Sequence, residues 1–413
     1  MGTTRTFQDM LNEYLPNDLL KEEFVKRDYL LSKIEKDNDW LGGNLVVPFK
    51  AAGASSVSFG GLTASTDIGE DKYVRGGVSG HKEVWGSMIF NHRDLMEHQQ
   101  ISEQNFLKIL PGTIDDFMDY MKNVVSVNLL NGAHFAKLIG DGDSSGNMTV
   151  DRPDRFVIGQ KVYVDDDNSS PSSAGYVSAI DMNTKIVTLV TARGGASPLD
   201  ISAYTVAQNA KCYNDGAQAS SFSSLRDALL SSANGGSSSL YGVTKTLYPY
   251  LQAINVSGAD ITATNIMSKI FDALTTVRQL GKGNPTDVVM SYKNLASCIK
   301  VIEASKGAFN VMPGSQRASQ YGWTEIEVGS VTKGALKLVG VQEADDDIIM
   351  LLDWRGLKFH SNGFFQKRMS PDGIEYFEVR ATTGFQYIVD VCLFGELVVN
   401  RPSYCGVIYS ISY

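Results

Sequence analysis

The sequence is poor in the residues that most often build reactive sites. Its four cysteines, Cys212, Cys298, Cys392 and Cys405, are scattered through 413 residues. With no Cys-x-x-Cys pair among them, a zinc ribbon and a disulfide framework are excluded and reduced thiols are expected. The five histidines, His81, His92, His98, His134 and His360, show no HExxH and no ligand-spaced pair, so no histidine metal centre is expected. Basic charge is also short, with 37 Lys and Arg against 46 Asp and Glu and a net charge of -9. That balance excludes a protein that grips nucleic acid through clustered phosphate neutralisation. No apolar run approaches the ~20 residues of a membrane span; the longest candidate is Ile348 to Leu352, and no membrane partner is expected. The opening MGTTRTFQDM lacks the apolar core of a signal peptide and matches a myristoylation pattern only loosely.

What is present is ordinary globular material: 43% hydrophobic and 20% charged residues, with 39 glycines. That composition suits two or three domains with many loops. Three strings imitate reactive motifs. Gly142-Asp-Ser-Ser-Gly146 has the GxSxG pattern, but NMTVDRPDR follows it where a nucleophile elbow needs a helix. Asp141, Asp143 and Ser145 begin like a calcium loop, yet the twelfth position is Arg152 and supplies no carboxylate. Gly281-Lys-Gly283 lacks the upstream glycine of a phosphate loop and reads as a helix C-cap. No catalytic residue, metal ligand or cofactor is therefore expected.

Along the chain, residues 17–36 space Leu20, Phe24, Leu31 and Ile34 as an amphipathic helix, with Asn17 as cap. A strand from Asn44 to Phe49 follows. Residues 53–93 form a long polar hairpin by pattern, with Val57 and Phe59 on one arm and Val84, Gly86, Met88 and Phe90 on the other. Its tip is too rich in Gly, Ser, Thr and charge to bury itself. Pro111-Gly112 should break or kink the next helix. From Thr113 to Gly140 the best helix of the sequence carries Ile114, Phe117, Met118, Met121, Val124 and Val125 on one face, opposite Asp115, Asp119, Lys122 and Asn123.

From Asp141 to Asp215 short strands with a Met-Asn-Thr turn predict a small β-barrel or sandwich inserted in the host domain, with the loop 165–173 as its most exposed feature. Helices at 264–281 and 292–305 flank a buried strand at 287–290, an α-β-α order that implies a sheet with helices packed on it. A polar, glycine-rich loop covers 306–322, and the rest is nearly all strand, with turns at Ser361-Asn-Gly363 and Pro371-Asp-Gly373.

The hairpin carries both signs of charge, Asp67, Glu70, Asp71, Lys72, Arg75, Lys82 and Glu83. In a solvated loop these would do nothing further. As contacts to a neighbouring copy, such mixed charge would set register more than affinity.

Several local strings carry a resemblance. They are Ser58-Phe-Gly-Gly-Leu-Thr-Ala-Ser65, Lys72-Tyr-Val-Arg75, Ile89-Phe-Asn-His-Arg-Asp-Leu95, Tyr241-Gly-Val-Thr-Lys245 with Tyr248-Pro249, Pro285-Thr-Asp-Val-Val-Met-Ser291, and Gly395-Glu-Leu-Val-Val-Asn-Arg-Pro402 with Gly406-Val-Ile408. Taken in order over most of the chain, they resemble a tailed-bacteriophage major capsid protein of the Hong Kong 97 type. None is a catalytic signature.

The resemblance implies an α+β capsid fold. Its parts would be an N-terminal arm at 1–50, an extended hairpin loop at 51–95, the spine helix of a peripheral domain at 96–140, and the inserted β-rich domain at 141–215. A connection at 216–259, an axial domain at 260–360 and return strands at 361–413 would complete it. It further implies hexamers and pentamers of an icosahedral head around double-stranded DNA, assembled in a host cytoplasm, with DNA touched only non-specifically. The scaffolding segment that some members carry ahead of the arm is not seen, which implies a separate scaffolding protein or a chain numbered after processing. Portal and decoration proteins would be further partners. Lysines at 72 and 82 are available for cross-linking, but no local motif selects an asparagine partner.

Two other readings stay open on the sequence. The inserted domain could bind a carbohydrate or receptor, which Tyr163, Tyr176 and Tyr204 clustered in an exposed groove would favour. An enzyme of unrecognised type would require a pocket with convergent titratable groups.

Overall fold

The computed structural model describes residues 24–26, 28–37, 40, 43–52, 72–80, 82–91, 103–165, 173–304, 325–329, 335–361, 365–367, 377–381 and 384–412. The chain forms two compact units that exchange segments. Unit one takes Met1–Arg27, Lys82–Ser224 and Phe365–Phe394; unit two takes Asp28–His81, Leu225–Phe364 and Gly395–Tyr413.

Unit one is built on a helix of 29 residues, Glu103–Asn131. Its expected apolar stripe is there: Ile114, Met118, Met121 and Val125 are buried while Asp115, Asp116 and Asp119 face water. Two expectations about its ends change. The helix runs through Pro111, which costs one backbone hydrogen bond while the turns on both sides carry on. It also stops at Asn131 rather than Gly140. Gly132 takes a left-handed φ of +100°, a turn that a helix cannot continue through, and His134–Gly140 becomes a strand.

That strand belongs to a closed six-stranded barrel, which occupies the region expected as an inserted domain. Going round it, the strands are Lys211–Asn214, His134–Gly140, Asn147–Val150, Ile186–Val190, Ser173–Asp181 and Lys161–Asp165, the last pairing back to the first. Alternate residues point inward, so Val162, Val164, Val177, Val187, Leu189 and Cys212 fill one dry core. The Met-Asn-Thr turn forms as expected, because the Asp181 carboxylate accepts from the Asn183 and Thr184 amides at 2.9 and 3.3 Å. Of the exposed loop predicted beside it, residues 166–172 lie outside the described residues.

Elsewhere in unit one, Lys82–Asn91, Phe365–Lys367 and Phe377–Ala381 pair with the long strand Gly384–Val399. The predicted turns at 361–363 and 371–373 fall on positions outside the described residues, apart from Ser361.

Unit two holds a six-stranded sheet in the order Ile254–Ser257, Gly406–Tyr409, Ile348–Leu352, Asp287–Met290, Ala335–Gly340, Glu325–Gly329. The predicted α-β-α segment is observed as Ile266–Thr276, Asp287–Met290 and Tyr292–Ala304. Both helices pack on the sheet through Ile266, Ile270, Leu274, Leu295 and Cys298. The first ends in a wide turn, Val277–Gly281, and Lys282, not a glycine, takes the left-handed cap at φ +59°. Gly281 is needed for another reason: a Cβ there would lie 2.0 Å from the Ser403 carbonyl oxygen. The loop 306–322 lies outside the described residues.

The helix expected over 17–36 is interrupted: 24–26 are helical, and a separate turn of helix begins after Asp28. Asp28 caps Tyr29–Lys33 by accepting from the Leu30 and Leu31 amides at 2.8 and 3.2 Å. Ile34 is extended and ends it. Glu35–Asp37 then runs parallel to Leu357–His360; Asn17 lies outside the described residues.

Candidate assembly surface

The hairpin expected at 53–93 has different arms. Lys72–Ser79 pairs antiparallel with Asn44–Ala52, with Val46 opposite Gly77, Pro48 opposite Arg75 and Phe49 opposite Val74. Lys82–Asn91 instead joins the long strand of unit one. The expected positions Val57 and Phe59 lie outside the described residues. Both halves of the region alternate, and alternation alone does not say which run is whose partner.

In unit two this two-stranded ribbon packs on Tyr241 and on the turn Pro249–Leu251. On the inner face Val47, Phe49 and Val78 are buried. The Phe49 and Tyr241 rings are near-parallel, 2° apart in plane with centroids 6.0 Å apart. The Gly77 amide donates to the Tyr241 carbonyl at 2.9 Å. Gly76 admits this seat, since a Cβ there would lie 2.6 Å from the Phe49 ring. The Tyr241 hydroxyl donates to the Leu397 carbonyl at 2.8 Å and accepts from the Val399 amide at 3.0 Å. Burial pushes its pKa up, so it stays a neutral donor and acceptor.

The outer face of the ribbon is in water. Val46 is 57% and Tyr73 62% exposed, and Pro48 and Arg75 lie exposed beside them. A two-stranded ribbon is marginal by itself; this one has a seated face and an open apolar one.

Unit one has a similar face of its own. On Lys82–Asn91 the inner side meets the long helix, where Gly86 leaves room for Phe117 and Met121: a Cβ would lie 2.6 and 2.5 Å from them. The outer side carries Trp85 and Ile89, both about half exposed. Trp85 packs edge-on to Phe394 at 5.8 Å and donates to the Glu83 carboxylate at 2.8 Å. Ser87 donates to Asp390 at 2.6 Å.

The seven predicted contact residues scatter over this region. Asp67, Glu70 and Asp71 lie outside the described residues. Lys72 begins the second ribbon strand, and Arg75 is exposed on its outer face. Lys82 is half-buried and Glu83 exposed, on a strand of the other unit. Sequence reasoning missed Val46, Tyr73, Trp85, Ile89 and Tyr241. The signal for the first four was apolar residues on both faces of an alternating strand.

The imitated motifs resolve into structure. Asp143 accepts from the Ser145 and Asn147 amides at 2.8 and 2.7 Å, and these bonds hold its carboxyl below the usual range. Asp141 accepts from the Val206 amide at 2.8 Å. Both carboxylates are thus spent on loop closure, and among the described residues no group of three metal-ligating side chains occurs. All four cysteines are buried and free; burial raises the Cys298 and Cys405 thiols to about 12. A cavity of about 40 Å³ lined by Phe49, Tyr250, Leu251, Asn400, Arg401 and Tyr404 has room for about two or three waters. The aromatic groove on the barrel is not formed: Tyr204 is a core residue, 4% exposed, donating to Ser173 at 2.9 Å. Among the described residues no helix is long and apolar enough to cross a membrane.

No family model matches the sequence, and no curated protein matches it. Solved structures do. The capsid asymmetric unit of cyanophage A-1(L) is similar at 10% identity over 92% of this chain and 91% of that one, with a TM-score of 0.48. The capsid of Myoviridae phage XM1 is similar at 12% identity over 92% and 91%, with a TM-score of 0.39. The capsid of a native GTA particle is similar at 8% identity over 92% and 90%, with a TM-score of 0.44. These are distant likenesses, and what the chain is similar to along nine-tenths of its length is, in each case, a capsid protein.

Proposed function

We propose that this chain is a structural subunit of a phage head shell that works by packing against copies of itself rather than by catalysis. The observation that carries this reading is the ribbon: a two-stranded element seated on Tyr241 that holds Val46, Pro48 and Tyr73 in water on its other face. An apolar strip of this kind, with Arg75 beside it, has the tyrosine, arginine and aliphatic mixture that interfaces favour. Trp85 and Ile89 add a second strip on unit one. A shell subunit meets several neighbours at once, so each contact can be weak alone and strong collectively.

Within this reading the residues 67, 70–72, 75, 82 and 83 are contact candidates, and the finer assignments follow the sequence resemblance. Residues 51–95 correspond to the extended loop, 96–140 to the spine helix, 260–360 to the axial domain, and 141–215 to an insertion. Hexamers and pentamers around double-stranded DNA, with scaffolding, portal and decoration partners, belong to the same proposal.

The test is assembly. Deleting Ile68 to Gly77 would remove most of a ribbon strand whose inner face is buried, so substitutions on the open face are cleaner. The chain, expressed with or without a scaffolding protein, is expected to form capsomers or closed particles in electron micrographs. Val46→Ser combined with Tyr73→Ser should abolish them. A strictly monomeric wild-type chain under all conditions, or normal particles from the double variant, would overturn the proposal.

A further inference from the structure

Three adjacent strands of unit two align a row of ionisable side chains. Glu35 stands opposite Lys358 and Asp37 opposite His360 across one strand pair. His360 stands opposite Glu396 across the next. Alternate residues share a face of a sheet, so these five groups lie on one side. Lys358 Nζ is 3.2 Å from Glu35 Oε2, and His360 Nδ1 is 3.6 Å from Asp37 Oδ2. The His360 side chain is 15% exposed and Asp37 29%, while Glu396 is buried at 1%. Glu396 accepts from its neighbour's amide, Leu397, at 3.2 Å.

The row sits at the end of a short strap. At its start the strap is held by buried packing and a side-chain hydrogen bond. Leu30 and Leu31 are fully buried, and the Tyr29 hydroxyl donates to Asp287 at 2.9 Å while its ring meets Trp354 edge-on at 6.1 Å. Its far end is a strand of only three residues, Glu35–Asp37, closed by the Ser361 amide donating to the Asp37 carbonyl at 2.8 Å. So short a strand has few ladder bonds, which leaves its side-chain pairs a large share of the hold.

We propose that Asp37, His360 and Glu396 form a pH-sensitive latch on the strap 28–37, closed while the imidazole carries a proton between the two carboxylates and loosened when it loses it. The inference is independent of the shell reading. The charged groups facing His360 are Asp37 from one neighbouring strand and Glu396 from the other; on its own strand, Lys358 is matched by Glu35. An imidazole ordinarily titrates near ~6.5 and carboxylates near ~4. The latch is therefore closed on the acid side of neutrality, where the ring is protonated, and opens as the pH rises through neutrality. Glu35 and Lys358 pair at the other end of the row and add to the strength of the hold.

Hydrogen exchange of the peptide spanning 28–37 in the intact chain, at pH 5.5 and 7.5 and corrected for intrinsic exchange rates, tests this. Local opening should be about two- to fivefold more frequent at pH 7.5, the size expected of one partly exposed pair. His360→Gln should open equally at both values, and the milder Asp37→Asn should reduce the ratio toward one. Glu35→Gln should raise opening at both values and leave the ratio as in the wild type. A wild-type ratio of one, or a His360→Gln or Asp37→Asn chain that keeps the wild-type ratio, would overturn the latch.

Discussion

The barrel and the ribbon are both antiparallel β-structure made from short alternating strands, and they end in opposite states. In the barrel the sixth strand pairs with the first, so no edge is left over and every inward side chain meets another. The ribbon has two strands and two faces: Tyr241 and the turn Pro249–Leu251 pack on one, and the described residues leave the other in water. Closure makes an element self-sufficient, whereas an open ribbon is completed only by something else. A single chain thus carries one β-element closed on itself and another that leaves an apolar face exposed among the described residues.

Breaking the barrel core should have the largest effect. Leu189→Ala removes a fully buried side chain and is expected to lower local stability by about 2–4 kcal/mol, measured by hydrogen exchange over the strand Ile186–Val190. The seat of the ribbon comes next. Tyr241→Phe keeps the ring stacked on Phe49 but removes the hydroxyl between Leu397 and Val399. Leaving a buried amide unpaired should cost about 1–2 kcal/mol, seen as faster exchange of both ribbon strands with the barrel unchanged.

A smaller effect sharpens the comparison through pH. Lys245, in the segment next to Tyr241, is 5% exposed and donates to the Leu230 carbonyl at 2.9 Å and to that of Asp227. Burial lowers its pKa to about 8, against a smaller opposing pull from the Asp227 carboxylate. Above that value the folded chain has released a proton that the unfolded chain keeps until about pH 10.4, so this residue makes stability rise with pH across that window. Lys245→Met should flatten the rise, by less than about 1 kcal/mol, in denaturant titrations at pH 8 and 10. The barrel's exchange should not respond. Smallest of all for stability is the open face: Val46→Ser with Tyr73→Ser should shift unfolding by under about 0.5 kcal/mol while changing assembly.

Much of this was legible. The helices at 266–276 and 292–304 and the strand between them announce themselves by period, because a buried face repeats every 3.6 or every 2 residues. The barrel was visible as turns at close spacing, but two of its strands were not: His134–Gly140, which GAHFAKLIG hid by continuing a strong helix, and the four-residue Asn147–Val150. The ribbon was misjudged. Alternation in Asn44–Ala52, Lys72–Ser79 and Lys82–Asn91 is equally good, and each run satisfies the same rule with any partner. Of the predicted contact residues, Arg75 and Glu83 are exposed as expected, yet their strands belong to different units. Tyr241 carried no signal, since a tyrosine before Gly-Val-Thr reads as a turn residue until two strands are laid against it.

The sequence by itself determined much of which side chains go inside and which face of the long helix is buried. Those are local properties, set by period, charge and composition. Only the tertiary structure decided which strands pair, which glycines lie where a backbone or ring must pass, and that Asp37, His360 and Glu396 stand in one row. Such contacts join residues up to hundreds of positions apart. They depend on register, and nothing in a local pattern encodes register until the partner strand is in place.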